Sequence, residues 1–409
     1  MKYFSASDSL YDITEKYPVT AKVFIANGFN QLADATKRET FGKALQLDIA
    51  LMMRQIDQES FVLLLEQAIE GVSEQDKKTV GKNNSVRMKG LLPCPVRLPL
   101  QESLDAFVES KKAEGVSVHT DLKAASMGLD WIKEEVAAAK SADELDDIYL
   151  SAGFDMFFEQ EYFGRFVTSD QFNDPIQWKS VNPLFDNPAL RLKDPKGRYG
   201  IIAVVPAVFL VNTEMLGDRP IPLSWKQLLD PMYERSVSLP VADFDLFNAI
   251  LLTLDNTYGS EAVAAMGRNM LRSLHPAQMV KSERLKESKP AITIMPNFFT
   301  KMVREGSAMK AIWPSDGAII SPIFMIAKSE RSNHVQDLAD LLSGIDAAGT
   351  LAHQGLFPCL HPDIDNRLSA GNSFMWLGWD YIDTHNLNQK FEVCQAIFNS
   401  QHVKEEIAI

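Results

Sequence analysis

Trp313-Pro314-Ser315-Asp316-Gly317-Ala318-Ile319-Ile320-Ser321-Pro322-Ile323-Phe324-Met325-Ile326-Ala327 joins a turn rich in Pro, Asp and Gly to an apolar run of strand length. Asp and Gly favour turn geometry, and the Ile/Phe/Met/Ile run reads as a buried strand. The stretch therefore brings an acidic, glycine-flanked loop to the end of a buried strand. Ends of that kind are where open α/β proteins bind ligands. Upstream, Ile201 to Val211 is the most strand-like run of the chain, almost all β-branched or apolar. Shorter strand patterns at Met88–Cys94, Val116–His119, Asp147–Leu150 and Ala291–Met295 alternate with helical patterns. Those helices are expected at Leu100–Val108, Leu129–Lys140, Phe247–Leu254 and Ala262–Leu271. Alternation of this kind predicts an α/β fold with mostly parallel sheets.

The composition narrows the function. The chain has 409 residues, 46% hydrophobic and 23% charged, with a net charge of −13. An acidic balance argues against an electrostatic nucleic-acid binder, which needs a basic stripe, and against an anionic membrane surface. It leaves a small ligand open, because a local positive pocket fits in an acidic protein. Three cysteines, Cys94, Cys359 and Cys394, do not make a disulfide framework. No apolar run approaches the roughly 18 residues of a membrane helix, so no membrane span is expected. The start Met1-Lys2-Tyr3-Phe4-Ser5 lacks the apolar core of a signal peptide. The expected location is cytoplasmic if Met1 is native, and periplasmic or extracellular if a leader was removed.

Residues 1–72 read as a small helical domain, with short amphipathic turns punctuated at Tyr17-Pro18 and Gly28-Phe29 and a longer pattern after Thr40. Residues 73–87 are polar and read as a linker. The helical unit resembles a domain of uncharacterised role found at the front of some iron–sulfur repair proteins. Many relatives of that domain place cysteines after the Gly-Phe pair. Here those positions are Asn30-Gln31-Leu32-Ala33, which points to a docking or dimerisation module rather than a thiol site.

Residues 88 to 400 resemble the type II periplasmic solute-binding proteins of ABC transporters, in the iron/polyamine-like branch. The matching pieces are Leu150-Ser151-Ala152-Gly153-Phe154-Asp155, Val204-Val205-Pro206-Ala207-Val208-Phe209-Leu210-Val211-Asn212-Thr213, Ile221-Pro222-Leu223-Ser224-Trp225-Lys226-Gln227-Leu228-Leu229-Asp230-Pro231 and Trp313 to Pro322. The resemblance implies two α/β lobes: lobe one at 88–203 plus 320–409, lobe two at 204–319. Hinges are expected near Ala203–Asn212 and Asp316–Phe324. It implies capture of a small polar ligand, anionic or a metal chelate, by closure of the interlobe cleft, with an ABC permease as partner. The alternative is a cytoplasmic ligand sensor or scaffold that uses the same fold and signals through the N-terminal domain.

Candidate ligand residues lie in loops after strands. Cys94 and Arg97 open a helix, and Arg97 suits a carboxylate or phosphate. Ser151 and Gly153 offer a hydroxyl and open backbone. Asp243 and Phe244 suit a cation or cap the next helix. Asn297 offers an amide beside an aromatic pair. Asp316 and Gly317 face the hinge in the resemblance and form the leading contact loop. Ferric-binding relatives carry adjacent tyrosines late in the chain, whereas Tyr381 stands alone in Trp376-Leu377-Gly378-Trp379-Asp380-Tyr381. His353, Cys359 and His361 have donor types suited to a soft metal. Pro358 and Pro362 bracket Cys359 and His361, the rest of the set is scattered and no C-x-x-C pair exists, so a loop with a buried thiol is expected and no metal or cofactor. No G-x-S-x-G, H-E-x-x-H or Walker pattern occurs, so no catalytic residues are expected and the chain is not read as an enzyme.

Overall fold

The computed structural model of the chain describes residues 3–401, except 28, 54–57, 59–60, 63–64, 67, 70–84, 93, 125–127, 154, 241–243, 274–288 and 305. Most of the expected linker therefore lies outside the described residues. The strands in chain order are β1 (Ser85–Leu92), β2 (Ser117–Ala124), β3 (Ile148–Ala152), β4 (Phe172–Asn173), β5 (Asp186–Asn187), β6 (Leu190–Arg191) and β7 (Gly200–Asn212). They continue with β8 (Val237–Leu239), β9 (Met270–Ser273), β10 (Ile292–Pro296), β11 (Met309–Ile312), β12 (Ala318–Lys328) and β13 (Phe374–Met375).

β7 and β12 hold the fold together. Both are buried almost end to end, as expected for apolar strands covered on both faces. β7 serves the sheets of both lobes, and β12 pairs with it on the lobe-one side. In lobe one the strand order is β2-β1-β3-β12-β7, with β1 parallel to both β2 and β3 and β12 antiparallel to β3. In lobe two β7 lies between β10 and β11, and β10, β8 and β9 follow in parallel. The pairing of β7 changes partner at one point. Residues 200–206 pair with β12 and residues 207–211 with β10, so the waist falls at Pro206 and Ala207. This is the two-lobed periplasmic-binding-protein architecture that the sequence predicts, preceded by a small all-α domain.

Local differences have physical causes. β1 begins at Ser85, inside the expected linker, because Arg87 finds partners across the sheet despite its charge. Its backbone N–H donates to Asp147 Oδ2 and its guanidinium to the Leu145 carbonyl. The helix after β1 spans Cys94–Ala113, longer than its apolar pattern suggests, and carries Pro99 past its first turn, where the missing N–H removes a bond from the helical ladder. The C-terminal helix Leu387–Gln401, which the reading above put in lobe one, packs instead on lobe-two helices Phe244–Tyr258 and Ser260–Asn269. Phe247 meets Phe398 at 5.4 Å, and Gly267 approaches the Phe398 carbonyl so closely that a Cβ would lie 2.5 Å from it. Chain order alone does not reveal which lobe such a helix covers.

The N-terminal unit has its own core, built on Leu10, Ile13, Phe24, Phe29, Leu51 and Phe61. Ser9 caps the helix Leu10–Lys16 through the Asp12 N–H. Asp34 caps Ala35–Ala44 through the Lys37 N–H, so that helix starts earlier than the pattern after Thr40 predicts.

Candidate functional site

Strand register brings four loops to the waist. Ala152, the last residue of β3, pairs with Ile323, and Leu91 of β1 pairs with Ser151. From lobe two, Pro296 at the end of β10 pairs with Ala207, and β8 runs parallel to β10 toward the same level. The carboxyl ends of β1, β3, β8 and β10 therefore face each other where β7 and β12 cross. Parallel strands with their helices stacked on the faces leave those ends as the natural crevice.

The helix Cys94–Ala113 starts immediately beyond β1, and its inner face, Val96, Leu100 and Leu104, is buried in the lobe-one core. That packing leaves Arg97 half-buried on the flank of the first helical turns. Among the described residues its guanidinium has no hydrogen bond or ion pair. Leu98 beside it is exposed. The backbone of Cys94 opens the helix, while its side chain lies outside the described residues.

Ser151 is buried, and its hydroxyl donates to the Ala152 carbonyl at 2.8 Å, turned into its own strand. Gly153 follows, also buried. Asp243 lies outside the described residues, as does the side chain of Phe244, whose backbone starts the helix Phe244–Tyr258. Asn297 begins the 3-10 turn Asn297–Met302 directly after β10, half-exposed, with its carbonyl held by Thr300 Oγ1 at 2.7 Å. The next residue, Phe298, stacks on Phe299 at 4.1 Å and reaches Phe357 of lobe one at 5.2 Å.

Asp316 and Gly317 are placed differently. They precede β12 and sit on the lobe-two side, away from the strand carboxyl ends. The Asp316 carboxylate accepts the N–H groups of Trp225 (3.0 Å) and Lys226 (3.2 Å) and the hydroxyl of Tyr258 (2.7 Å). It thus caps the short helix Trp225–Leu228, and the Tyr258 phenol is pushed up by burial and by this carboxylate. Gly317 accepts the Trp225 indole N–H at 2.9 Å. It adopts φ 111°, and a Cβ there would lie 2.7 Å from the Phe374 backbone. Ser151 lies near the end of β3 with Gly153 just beyond that strand, Arg97 lies in the helix after β1 and Asn297 follows β10, while the turn at 315–317 works inside lobe two.

Sequence reasoning saw Phe298 in the aromatic pair beside Asn297 but passed over Phe357 and Ser321 as site candidates. Ser321 is 1% exposed on β12, opposite Val205, and its hydroxyl has no hydrogen-bond partner in the structure. A lone Ser-Pro inside an apolar strand was the available signal. The Cys359 thiol is buried, donates to the Ile202 carbonyl at 2.8 Å and is pushed up to about 12 by burial, so it is no thiolate donor. His353 holds the Asp365 carbonyl at 2.8 Å, and His361 packs edge-on to Trp178. Among the described residues no group of three His, Cys, Asp or Glu is arranged to hold a metal ion, and no helix is long and apolar enough to cross a membrane.

Comparison with known proteins agrees with this architecture. The family of bacterial extracellular solute-binding proteins matches residues 143–385, and a domain of unknown function matches residues 4–62. No curated protein matches the chain in sequence. Among solved structures, the apo ferric ion-binding protein A of Pasteurella haemolytica is similar at 16% identity, covering 79% of this chain and 100% of that one, with a TM-score of 0.51. The substrate-binding protein of an ABC transporter from Agrobacterium tumefaciens is similar at 12% identity (77% and 96% covered, TM-score 0.53). The ferric binding protein from Campylobacter jejuni is similar at 10% identity (77% and 99% covered, TM-score 0.52). At these identities the likeness concerns the fold.

Proposed function

The chain belongs to the bacterial extracellular solute-binding proteins, and from that premise we propose that it captures a small anionic solute between its lobes and delivers it to an ABC-type permease. The observation that carries this reading is Arg97. A guanidinium is always charged, and Arg97, half-buried with no partner among the described residues, is open to an anion from outside the chain. It stands in the first turns of a long helix, whose free N–H groups and dipole favour an anion at the same place. Gly153 and Asn297 supply backbone and amide groups on either side of the crevice. Closure follows if the bound anion makes contacts in the closed form that the open form lacks. The work is binding, carried out beyond the cell membrane, as the family description implies.

Two of the similar structures are ferric-binding proteins by name. Bare ferric iron is a poor fit here, because the hard cation calls for phenolates. Tyr199 and Tyr233 donate to backbone carbonyls, Tyr149 and Tyr258 to carboxylates, and burial pushes all four phenols up. Tyr381 is pushed up to about 12, also by burial. An anionic chelate of a metal remains within the anion class. For the N-terminal unit, exposed Ile49 and Met52 on the helix Leu47–Met53 support a role in protein contacts.

The test is thermal unfolding against inorganic phosphate, a set of organic carboxylates and ferric citrate. One of these anions should raise the melting temperature by mass action, and Arg97→Ala should weaken that effect about tenfold or more in apparent affinity. A uniform absence of shifts, or equal binding by Arg97→Ala, would overturn the reading.

A further inference from the structure

One cation crosses the mouth of the cleft. The Lys301 ammonium, in the lobe-two turn Asn297–Met302, donates to the carbonyls of His353 (3.1 Å) and Gln354 (2.7 Å). Those carbonyls end the helical turn Thr350–Gln354 of lobe one, where unpaired carbonyls collect and a positive charge is favoured. One turn earlier in the chain, Phe298 lays its ring against the buried Phe357 and joins the edge of the lobe-one core. Both contacts join the lobes directly, and both come from the same short turn.

The strands behind this turn resist bending weakly. β7 and β12 cross the waist carrying Pro206, opposite Ile320, and Pro322, opposite Val204. Each proline removes an N–H from the ladder just where the two sheets meet. A hinge of that kind absorbs rotation, and a few contacts at the mouth then decide the balance between open and closed forms. We propose that Lys301 and Phe298 form an interlobe latch: positioning residues that hold the cleft closed in the absence of ligand and set the open-to-closed ratio from which an anion is captured. The latch depends on the lobes and the waist alone, so it stands apart from the identity of the ligand.

A charged donor shared by two carbonyls at an exposed site shifts such a ratio by about fivefold. The experiment is small-angle X-ray scattering of the full-length, ligand-free protein, with hydrogen exchange of the 350–357 segment measured in parallel. Lys301→Glu, which sets a carboxylate against the two carbonyls, should increase the radius of gyration, and Phe298→Ala should do the same. Lys301→Arg, which keeps the donors, should scatter like the wild type. Lys301 is exposed, so its replacement leaves the cores intact. Faster exchange at 350–357 with an unchanged radius in Lys301→Glu would reduce Lys301 to a local helix cap and overturn the latch. An unchanged radius with unchanged exchange would overturn it as well. Because no ligand enters the measurement, either failure leaves the Arg97 reading to its own test.

Discussion

The two ends of the lobe-one sheet treat charge in opposite ways. At the amino ends, the charges of Arg87, Lys89 and Lys328 are met from within the chain. Arg87 pairs with Asp146 at 3.3 Å, and Lys89 pairs with Glu135 and, at 3.7 Å, with Asp146. Lys328 pairs with Asp147 at 3.1 Å, and Tyr149 donates to Glu135. Burial raises the Asp146 carboxyl, and the Lys89 and Arg87 charges pull it back. At the carboxyl ends, Arg97 stands with no partner among the described residues. A network that closes on itself is structural, because removing any member strands another buried charge. A charge left open in a crevice is poised for a partner that arrives later.

The largest expected effect tests the closed network. Lys89→Ala takes the ammonium from Glu135 and Asp146, leaving them Tyr149 and Arg87, and should cost roughly 3 kcal/mol of stability in urea unfolding, with anion affinity unchanged. Wild-type stability would erase the contrast between the ends. Asp174 is the carboxylate near the amino ends that sharpens it. Burial raises its pKa to about 6, against about 3.9 in an unfolded chain. The folded state therefore holds the proton more tightly between those values, and stability falls as pH rises through them. Allowing for partial solvent access, Asp174→Asn should gain roughly 2 kcal/mol at pH 7 and remove that slope between pH 4 and 6. A slope unchanged in the variant would show that the group does not titrate there.

At the open end, the expectation reverses. Arg97→Ala should change unfolding free energy by no more than about 0.5 kcal/mol, since no interaction is lost, even as anion binding drops. A large loss of stability would mean that Arg97 serves the fold. The smallest effect concerns the N-terminal unit. Among the described residues its hydrophobic core runs from Phe4 to Ile69, with Tyr3 packed against it. Deleting residues 1–84 should leave the unfolding midpoint of the two-lobed part unchanged, and loss of its cooperative transition would show that the units depend on each other.

Much of this contrast was legible before the structure and some of it was not. Arg97 was picked out because a strand, a proline-rich turn and a helix follow one another there. Ser151, Gly153 and Asn297 carry the same strand-to-loop signal, at the ends of β3 and β10. Asp316 carried the same turn signal, yet its carboxylate is taken up by Trp225, Lys226 and Tyr258. Those partners lie 91, 90 and 58 positions away, so no local pattern announces them. Phe298 is legible as one of an aromatic pair, but its contact with Phe357 is not, and Lys301 looks like an ordinary loop residue until lobe one is placed opposite it.

Periodicity and turn chemistry act over a few residues. They were enough to indicate alternating strands and helices and the small helical unit in front, while two lobes and a crossing near positions 204 and 320 were expected from the family resemblance. Which side chains are already satisfied, which lobe the last helix covers and which contacts bridge the cleft were decided only when distant segments met. Pairing energies depend on distance and burial, and both are properties of the folded chain.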